Sequence, residues 1–314
     1  MNSGNASHPT TQHIGSTFLS AGVICAATLH LPESYNLSDE LTKDAKKLPA
    51  VLMIHGWGGI QDALLAPFQR AFNAAGFAVM SFDYPTWGKS QGLPRNHIDP
   101  WQRERDVDAA LSHLKSQAQV DARKIVLWGS SFGGGHTVAI AAQHPSLLGA
   151  IAHVPMLDGR AASLANPFKR SLPLLAVALA DQLVPRKPIY IPIIAPEGQF
   201  SSMDRDGAYQ ALVNGLKQEN ILRESYYDNR VQARSILKIA FYRPYKFLKD
   251  IKIPLLLVGG KHDTVAPFVE KKIRAINNPF VQINMLDANH FEPYFEPILT
   301  PNIAQQVRFL KGLL

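Results

Sequence analysis

Short apolar runs recur along the chain from Pro49 onward and alternate with longer amphipathic segments. Runs of this length suit strands buried on both faces, and their alternation with amphipathic segments is typical of a mainly parallel sheet flanked by helices. The predicted strands span residues 51–54, 77–82, 124–128, 150–154, 255–258 and 281–286, and the predicted helices span residues 62–75, 101–117, 132–143, 268–276 and 303–313. Residues 17–31 are expected to add a pair of edge strands, followed by a charged loop at 38–47. The sequence therefore predicts an α/β fold.

The alternation stops after Met156 and resumes only at Ile253. The residues between them are expected to form a helical cap on the α/β core. The expected boundaries are residues 15–158 and 251–314 for the core, 159–250 for the cap, which we call the inserted segment, and 1–14 for a flexible N-terminal segment. Residues 172–183 are apolar nearly all round, so a helix there must be buried. Such a helix would either roof an apolar substrate pocket or pack the cap against the core.

The composition excludes several classes of protein. With 46% hydrophobic and 18% charged residues in 314, the chain is a globular protein of one large domain or one domain with a cap. Its single cysteine, Cys25, permits no intramolecular disulfide and favours a reducing compartment. No signal peptide is evident, and no apolar run reaches the roughly 20 residues that span a bilayer. The net charge is +7, and the basic residues that produce it are scattered along the sequence. We therefore expect a cytoplasmic protein with no nucleic-acid partner and no stable membrane insertion.

A nucleophile motif stands between the third predicted strand and the third predicted helix. Its residues are Gly129-Ser130-Ser131-Phe132-Gly133, a G-x-S-x-G pentapeptide. A serine on so tight a turn needs small residues two positions away on either side, because a Cβ there would crowd the backbone. The helix that follows directs its positive end at the serine and favours anionic intermediates there. Ser131 is therefore the predicted nucleophile.

A serine hydroxyl becomes a good nucleophile only when a base removes its proton, and a carboxylate must orient that base. Asp263 follows the strand at 255–258, and His290 follows the strand at 281–286. Because the carboxyl ends of parallel strands share one edge of a sheet, we expect Ser131, Asp263 and His290 to meet. Asp158, after the strand at 150–154, is a competing acid. The remaining histidines near these loops are expected to have packing or surface roles: His136, His144, His153 and His262.

Two backbone amides are the predicted oxyanion donors. The N–H of Phe132 follows the nucleophile, and the N–H of Trp57 lies in the glycine-rich loop after the first buried strand. His55, in the same loop, is expected to brace it by hydrogen bonding. The glycines at 129–134 are not followed by the lysine of a phosphate-binding loop, and no dinucleotide-binding or metal-ligand spacing occurs. We therefore expect neither a cofactor nor a metal.

With these motifs, the sequence from about Thr17 to the carboxyl terminus resembles the α/β-hydrolase superfamily, and the edge strands and the 55–59 loop resemble its dienelactone-hydrolase-like and S15-peptidase-like esterases. The resemblance implies an α/β-hydrolase fold and a serine hydrolase acting on acyl groups, with the nucleophile at Ser131. Dienelactone hydrolases carry cysteine at that position, so their lactone substrate is not implied. Residues 83–90 also depart from the related pattern, since Pro85-Thr86 replaces Arg-Gly.

The sequence thus predicts a carboxylic ester hydrolase that acts through an acyl-enzyme on a small-molecule ester or thioester. Trp57 is expected to line the acyl side of the pocket, and Tyr84 and Trp87 to contribute to substrate binding. Two other functions stay open. The first is an acyltransferase or thioesterase of a polyketide-type pathway. The second is a protein that binds a ligand on the same scaffold without turnover. A homodimer is also left open.

Overall fold

The computed structural model describes residues 12–36, 47–184, 187–218 and 227–314. The strands are β1 (Gln12–Ser20), β2 (Val23–Leu31), β3 (Leu48–Ile54), β4 (Ala78–Phe82), β5 (Val120–Ser130), β6 (Gly149–His153), β7 (Tyr190–Pro192), β8 (Arg230–Gln232), β9 (Leu255–Gly260) and β10 (Val281–Leu286). Eight of them form one sheet in the order β1-β2-β4-β3-β5-β6-β9-β10. From β4 to β10 the neighbours pair in parallel, whereas β2 is antiparallel to both β1 and β4. The predicted α/β-hydrolase fold is confirmed.

Helices pack on both faces of this sheet, and others lie in the inserted segment between β6 and β9. They are α1 (Ala66–Ala74), α2 (Pro100–Lys115), α3 (Phe132–Gln143), α4 (Gly159–Leu164), α5 (Phe168–Gln182), α6 (Ala208–Gln218), α7 (Glu270–Ile276) and α8 (Leu299–Gly312). The start of helix α2 is fixed by its first residues. The Asp99 carboxylate accepts hydrogen bonds from the N–H groups of Trp101 and Gln102 at 3.0 Å, and Pro100 occupies the first helical position. Helix α1 begins four residues later than the sequence predicts.

Strand β3 explains why the predicted runs are apolar at every position. Val51 and Met53 belong to a core layer that also contains Phe68 of α1. The intervening Leu52 belongs to the opposite layer, together with Leu111 of α2. Successive side chains of a strand point to opposite faces, so helices on both sides require every residue of β3 to be apolar.

The first strand begins earlier than expected. Gln12 pairs with Leu31, so residues 12–14 belong to the sheet rather than to the N-terminal segment predicted at 1–14. Residues 1–11 of that segment lie outside the described residues, as does the charged loop predicted at 38–47 except for Lys47.

The inserted segment stands between β6 and β9 and contains more than helices. Besides α4, α5 and α6, it holds the antiparallel pair β7 and β8 and two 3-10 helices, Ala233–Phe241 and Pro244–Asp250. Three-residue strands are too short to give a period-2 signal, which is why the sequence predicts only helices here.

Residues 172–183, expected to form a buried helix, lie in α5 and its C-terminal end and are buried on one side only. In α5 only Leu174, Ala178 and Asp181 are buried, whereas Leu172, Leu175 and Leu179 are 46 to 53% exposed. The buried face is held by a polar contact, since the Asp181 carboxylate lies 2.7 Å from the Arg234 guanidinium. The helix therefore packs on one side against the 3-10 helix that contains Arg234.

Among the described residues, no helix is both long enough and apolar enough to cross a membrane.

Buried histidines predict how the stability of this core depends on pH. Burial lowers the pKa of His153 from 6.5 to about 3. The unfolded chain therefore takes up a proton below about pH 6.5 that the folded protein does not, and stability falls as the pH is lowered from 6.5 toward 3. One such histidine contributes a slope of about 1.4 kcal/mol per pH unit.

We expect His153→Gln to reduce the pH slope of the unfolding free energy by about 1 kcal/mol per pH unit between pH 6 and 4. Gln retains an acceptor for the Asn302 amide, which donates to His153 Nε2 at 2.9 Å. Urea unfolding at several pH values measures this slope. The control is His262→Gln, since the His262 side chain is 67% exposed. Equal slopes for the native protein and His153→Gln would contradict the prediction.

Candidate active site

Ser131 lies at the junction of β5 and α3 with an unusual backbone. Its φ of 55° and ψ of −119° lie in a region that non-glycine residues rarely occupy. Four backbone hydrogen bonds hold it: Ser131 N–H donates to the His153 carbonyl at 2.9 Å, and the Ser131 carbonyl accepts from the N–H groups of Met156, Gly134 and Gly135 at 2.9, 3.0 and 3.3 Å. Such strain persists only where the surroundings enforce it, and it is commonly found at functional sites.

The glycines of the motif are required by close packing. A Cβ at Gly129 would overlap Thr137 Oγ1 and the Gly133 carbonyl, and a Cβ at Gly133 would overlap the Ile54 carbonyl oxygen. A Cβ at Gly56 would stand 2.9 Å from Ser131 Cβ, so the 55–59 loop lies directly against the serine. These overlaps explain why glycine is required at positions 129 and 133.

The structure brings the three predicted triad residues together in one chain of hydrogen bonds. Ser131 Oγ lies 2.9 Å from His290 Nε2, and His290 Nδ1 lies 2.6 Å from Asp263 Oδ2. Asp263 Oδ1 accepts a further hydrogen bond from Ala266 N–H at 2.6 Å. The side chains of His290 and Asp263 are 2% and 1% exposed. In the tautomer with the proton on Nδ1, His290 donates to Asp263 and accepts from the Ser131 hydroxyl.

The competing residues have other partners. Asp158, the alternative acid, lies 3.1 Å from Arg243 Nε and 2.7 Å from Lys272 Nζ, away from His290. The other histidines pair as follows: His136 with the Tyr242 hydroxyl at 2.8 Å, His144 with Asp108 at 2.7 Å, His153 with Asn302 at 2.9 Å and His262 with Asp287 at 3.1 Å. None of these four contacts Ser131 Oγ.

The two predicted oxyanion donors flank Ser131. Neither the Trp57 nor the Phe132 N–H donates a hydrogen bond to another described residue, so both remain for a ligand. Their rings meet edge to face at 5.4 Å, and Trp57 Nε1 donates to Ser202 Oγ at 3.0 Å. His55 is buried beneath the loop with Nδ1 3.2 Å from the Gly56 carbonyl, and burial lowers its pKa to about 3. A neutral His55 fits the bracing role predicted for it.

Two cavities open on Ser131. The larger, of about 420 Å³, lies between the core and the inserted segment and is mostly apolar. Its walls include Trp57 and Phe132 from the core and Leu172, Leu175 and Ile236 from the inserted segment. The smaller, of about 70 Å³, is lined by Ser131, His290 and the 55–59 loop. The serine therefore stands between a roomy apolar space and a small one.

Tyr84 and Trp87 were predicted to bind substrate, and the structure contradicts this. Each is 1% exposed, and neither lines the cavities at Ser131. The Tyr84 ring packs on His55 at 4.8 Å, and Trp87 Nε1 donates to the His97 carbonyl at 2.8 Å. The loop turns inward because the buried Asp83 carboxylate accepts the N–H groups of Gln61 and Lys89. Trp57 alone of the three predicted residues reaches the cavity.

The structure also reveals a residue that sequence reasoning missed. Asp206 of the inserted segment accepts hydrogen bonds from Thr264 N–H at 2.9 Å, Thr264 Oγ1 at 2.5 Å and His290 N–H at 3.4 Å. It therefore joins the loop of Asp263 to the loop of His290. The only signal in the sequence is an Asp-Gly pair, which indicates a turn and no more.

Within the described part of the chain, no group of three or more His, Cys, Asp or Glu residues is placed to hold a metal ion.

The chain is similar in sequence and in fold to known proteins. Residues 45–277 match the family model Hydrolase_4, described as serine aminopeptidase, S33. The chain is 32% identical over 270 residues to the quorum-quenching protein AidA of Acinetobacter baumannii, covering 85% of this chain and 87% of that protein. It is 26% identical to the acyltransferase drtE of Aspergillus calidoustus, covering 89% and 93%. The fold matches that of the α/β hydrolase GrgF from Penicillium sp. with a TM-score of 0.72 at 22% identity, covering 96% and 98%.

The packing around the serine predicts the effect of one added methyl group. We expect Gly133→Ala to lower the free energy of unfolding by about 1 to 3 kcal/mol, because its Cβ overlaps backbone atoms that are held in the sheet. Urea unfolding measures the loss. The matched control is Gly312→Ala near the end of α8, where a Cβ meets nothing within 4 Å. Equal unfolding midpoints for the two variants would contradict the packing argument.

Proposed function

Since the chain belongs to the Hydrolase_4 family of α/β-hydrolases, described as serine aminopeptidase, S33, we propose that it is a serine hydrolase that cleaves a carboxylic ester or thioester. The observation that carries the proposal is the unbroken path of hydrogen bonds from Ser131 through His290 to Asp263 at the edge of an apolar cavity. The substrate is a small molecule whose acyl chain occupies that cavity.

The first half of the proposed reaction forms an acyl-enzyme. Ser131 Oγ attacks the acyl carbon while His290 Nε2 takes the hydroxyl proton. Asp263 keeps the imidazole in the required tautomer and stabilises its positive charge. The oxygen of the tetrahedral intermediate receives the N–H groups of Trp57 and Phe132, and each such donor is worth about 3 to 4 kcal/mol in barrier height. His290 then gives its proton to the leaving alcohol or thiol, and the C–O or C–S bond breaks.

The second half regenerates the serine. A water molecule attacks the acyl carbon, His290 accepts the water proton, and the tetrahedral intermediate collapses with return of that proton to Ser131 Oγ. The free acid leaves. The cavity of about 420 Å³ accommodates the acyl chain, and the inserted segment serves as the lid that roofs it through Leu172, Leu175 and Ile236.

Ester hydrolysis tests this proposal. We expect Ser131→Ala to lower kcat/KM for p-nitrophenyl esters of medium-chain acids by at least about 10³-fold, because no other group supplies the attacking oxygen. The matched control is Ser171→Ala. It removes another hydroxyl that lines the same cavity and that, among the described residues, bonds only to the Pro167 carbonyl. Equal rates for the native protein and Ser131→Ala would overturn the proposal.

A second candidate is acyl transfer, in which an alcohol or amine replaces water in the second half of the reaction. The inserted segment over the cavity favours it, since a covered acyl-enzyme is shielded from water. The similarity to a protein named acyltransferase adds support. Mass spectrometry of reactions supplied with an activated thioester and a panel of alcohols and amines separates the two. Transfer predicts ester or amide products, and free acid alone with every acceptor would rule it out.

A further inference from the structure

The large cavity at Ser131 has one polar region in an otherwise apolar wall. Among the described residues that line it, Arg205 is the only charged side chain and Asn166 the only amide. The lining hydroxyls other than Ser131 already donate within the protein: Ser163 to the Gly159 carbonyl, Ser171 to the Pro167 carbonyl and Ser202 to the Ile193 carbonyl. Apart from Ser131 and the backbone N–H groups of Trp57 and Phe132, the hydrogen-bond donors left for a ligand in this wall therefore belong to Arg205 and Asn166.

Arg205 makes little use of its five N–H groups. One terminal nitrogen donates to the Ala165 carbonyl at 2.8 Å, next to Asn166, and within the described ranges no carboxylate lies within 4.0 Å of the guanidinium. Its neighbours pair elsewhere: Asp204 with Arg170 at 2.8 Å, and Asp206 with Thr264. Burial is the main cause that lowers the pKa of Arg205. A partly desolvated cation facing an apolar cavity gains from an oxygen acceptor supplied by a ligand.

The surrounding charges favour a neutral acceptor over an anion. The nearby carboxylates of Asp204, Asp206 and Asp263 each raise the pKa of Arg205, and the nearby Arg170 guanidinium lowers it. These groups together carry three negative charges against the two positive charges of Arg170 and Arg205. A ligand carboxylate would add a fourth negative charge, whereas a carbonyl oxygen accepts the same hydrogen bonds without this repulsion.

We propose that Arg205 and Asn166 form a specificity site for a carbonyl oxygen, of a ketone or an amide, carried on the acyl chain in the cavity beside Ser131. This inference rests on the proposed function and adds to it the class of acyl group. A site built to bond a polar group rejects the analogue that lacks it, because its own donors are then left unpaired. A plain alkyl chain is accordingly the poorer substrate.

A set of esters of equal chain length tests the site. The substrates are p-nitrophenyl octanoate, the oxo-octanoates with the ketone at successive carbons from C4 to C7, and the p-nitrophenyl half-ester of suberic acid, which ends in a carboxylate. For the native protein we expect kcat/KM for the best oxo-octanoate to exceed that for octanoate by about 10-fold or more. The carboxylate ester should be no better than octanoate.

The variants assign the preference to its residues. Arg205→Met should bring the ratio of oxo-octanoate to octanoate close to one, and Asn166→Leu should lower it independently. Arg160→Met is the control, because Arg160 is exposed and does not line the cavity, and it should keep the native ratio. The ratio is internal to each variant, so a change in the amount of folded protein does not alter it.

The outcomes separate this inference from the proposed function. Hydrolysis of octanoate by the native protein with no preference for any oxo ester would overturn the inference alone. A preference for the carboxylate ester over every oxo ester, or an unchanged ratio in both Arg205→Met and Asn166→Leu, would also overturn it. Absence of hydrolysis of every ester would instead overturn the proposed function.

Discussion

The left-handed backbone of Ser131 is stable only because its neighbours leave no room for another arrangement. On one side Gly56 lies so close that a Cβ on it would stand 2.9 Å from Ser131 Cβ. On the other side Gly133 packs against the carbonyl oxygen of Ile54. A conformation of this kind costs on the order of 1 to 3 kcal/mol, which the surrounding sheet and helix must offset. This backbone conformation directs the Ser131 hydroxyl beyond the sheet edge toward His290.

The inserted segment takes part in the site as well as covering it. Ser202 accepts from the Trp57 ring at 3.0 Å, and Asp206 binds both Thr264 and the backbone of His290. These contacts tie the cavity roof to the loops that hold the base and the acid.

The sequence predicted the features that have a strong local cause. Apolar runs located β3 to β6, β9 and β10, and the glycines at 129 and 133 located the turn, because each pattern answers to packing that tolerates little else. Chain order located Asp263 and His290. Tyr84 and Trp87 were placed wrongly because the direction of their loop depends on the buried Asp83 carboxylate, a tertiary contact that no period encodes. The sequence did not predict the roles of Asp206 and Arg205 for the same reason, because polar loop residues carry no periodic signal.

Covalent labelling with a fluorophosphonate, followed by peptide mass spectrometry, tests whether His290 activates Ser131. We expect a single adduct on the peptide that contains Ser131 in the native protein. In His290→Gln we expect labelling to be slower by at least about 10²-fold, because no base removes the proton. Labelling of another residue, or equal labelling rates in the two proteins, would contradict it.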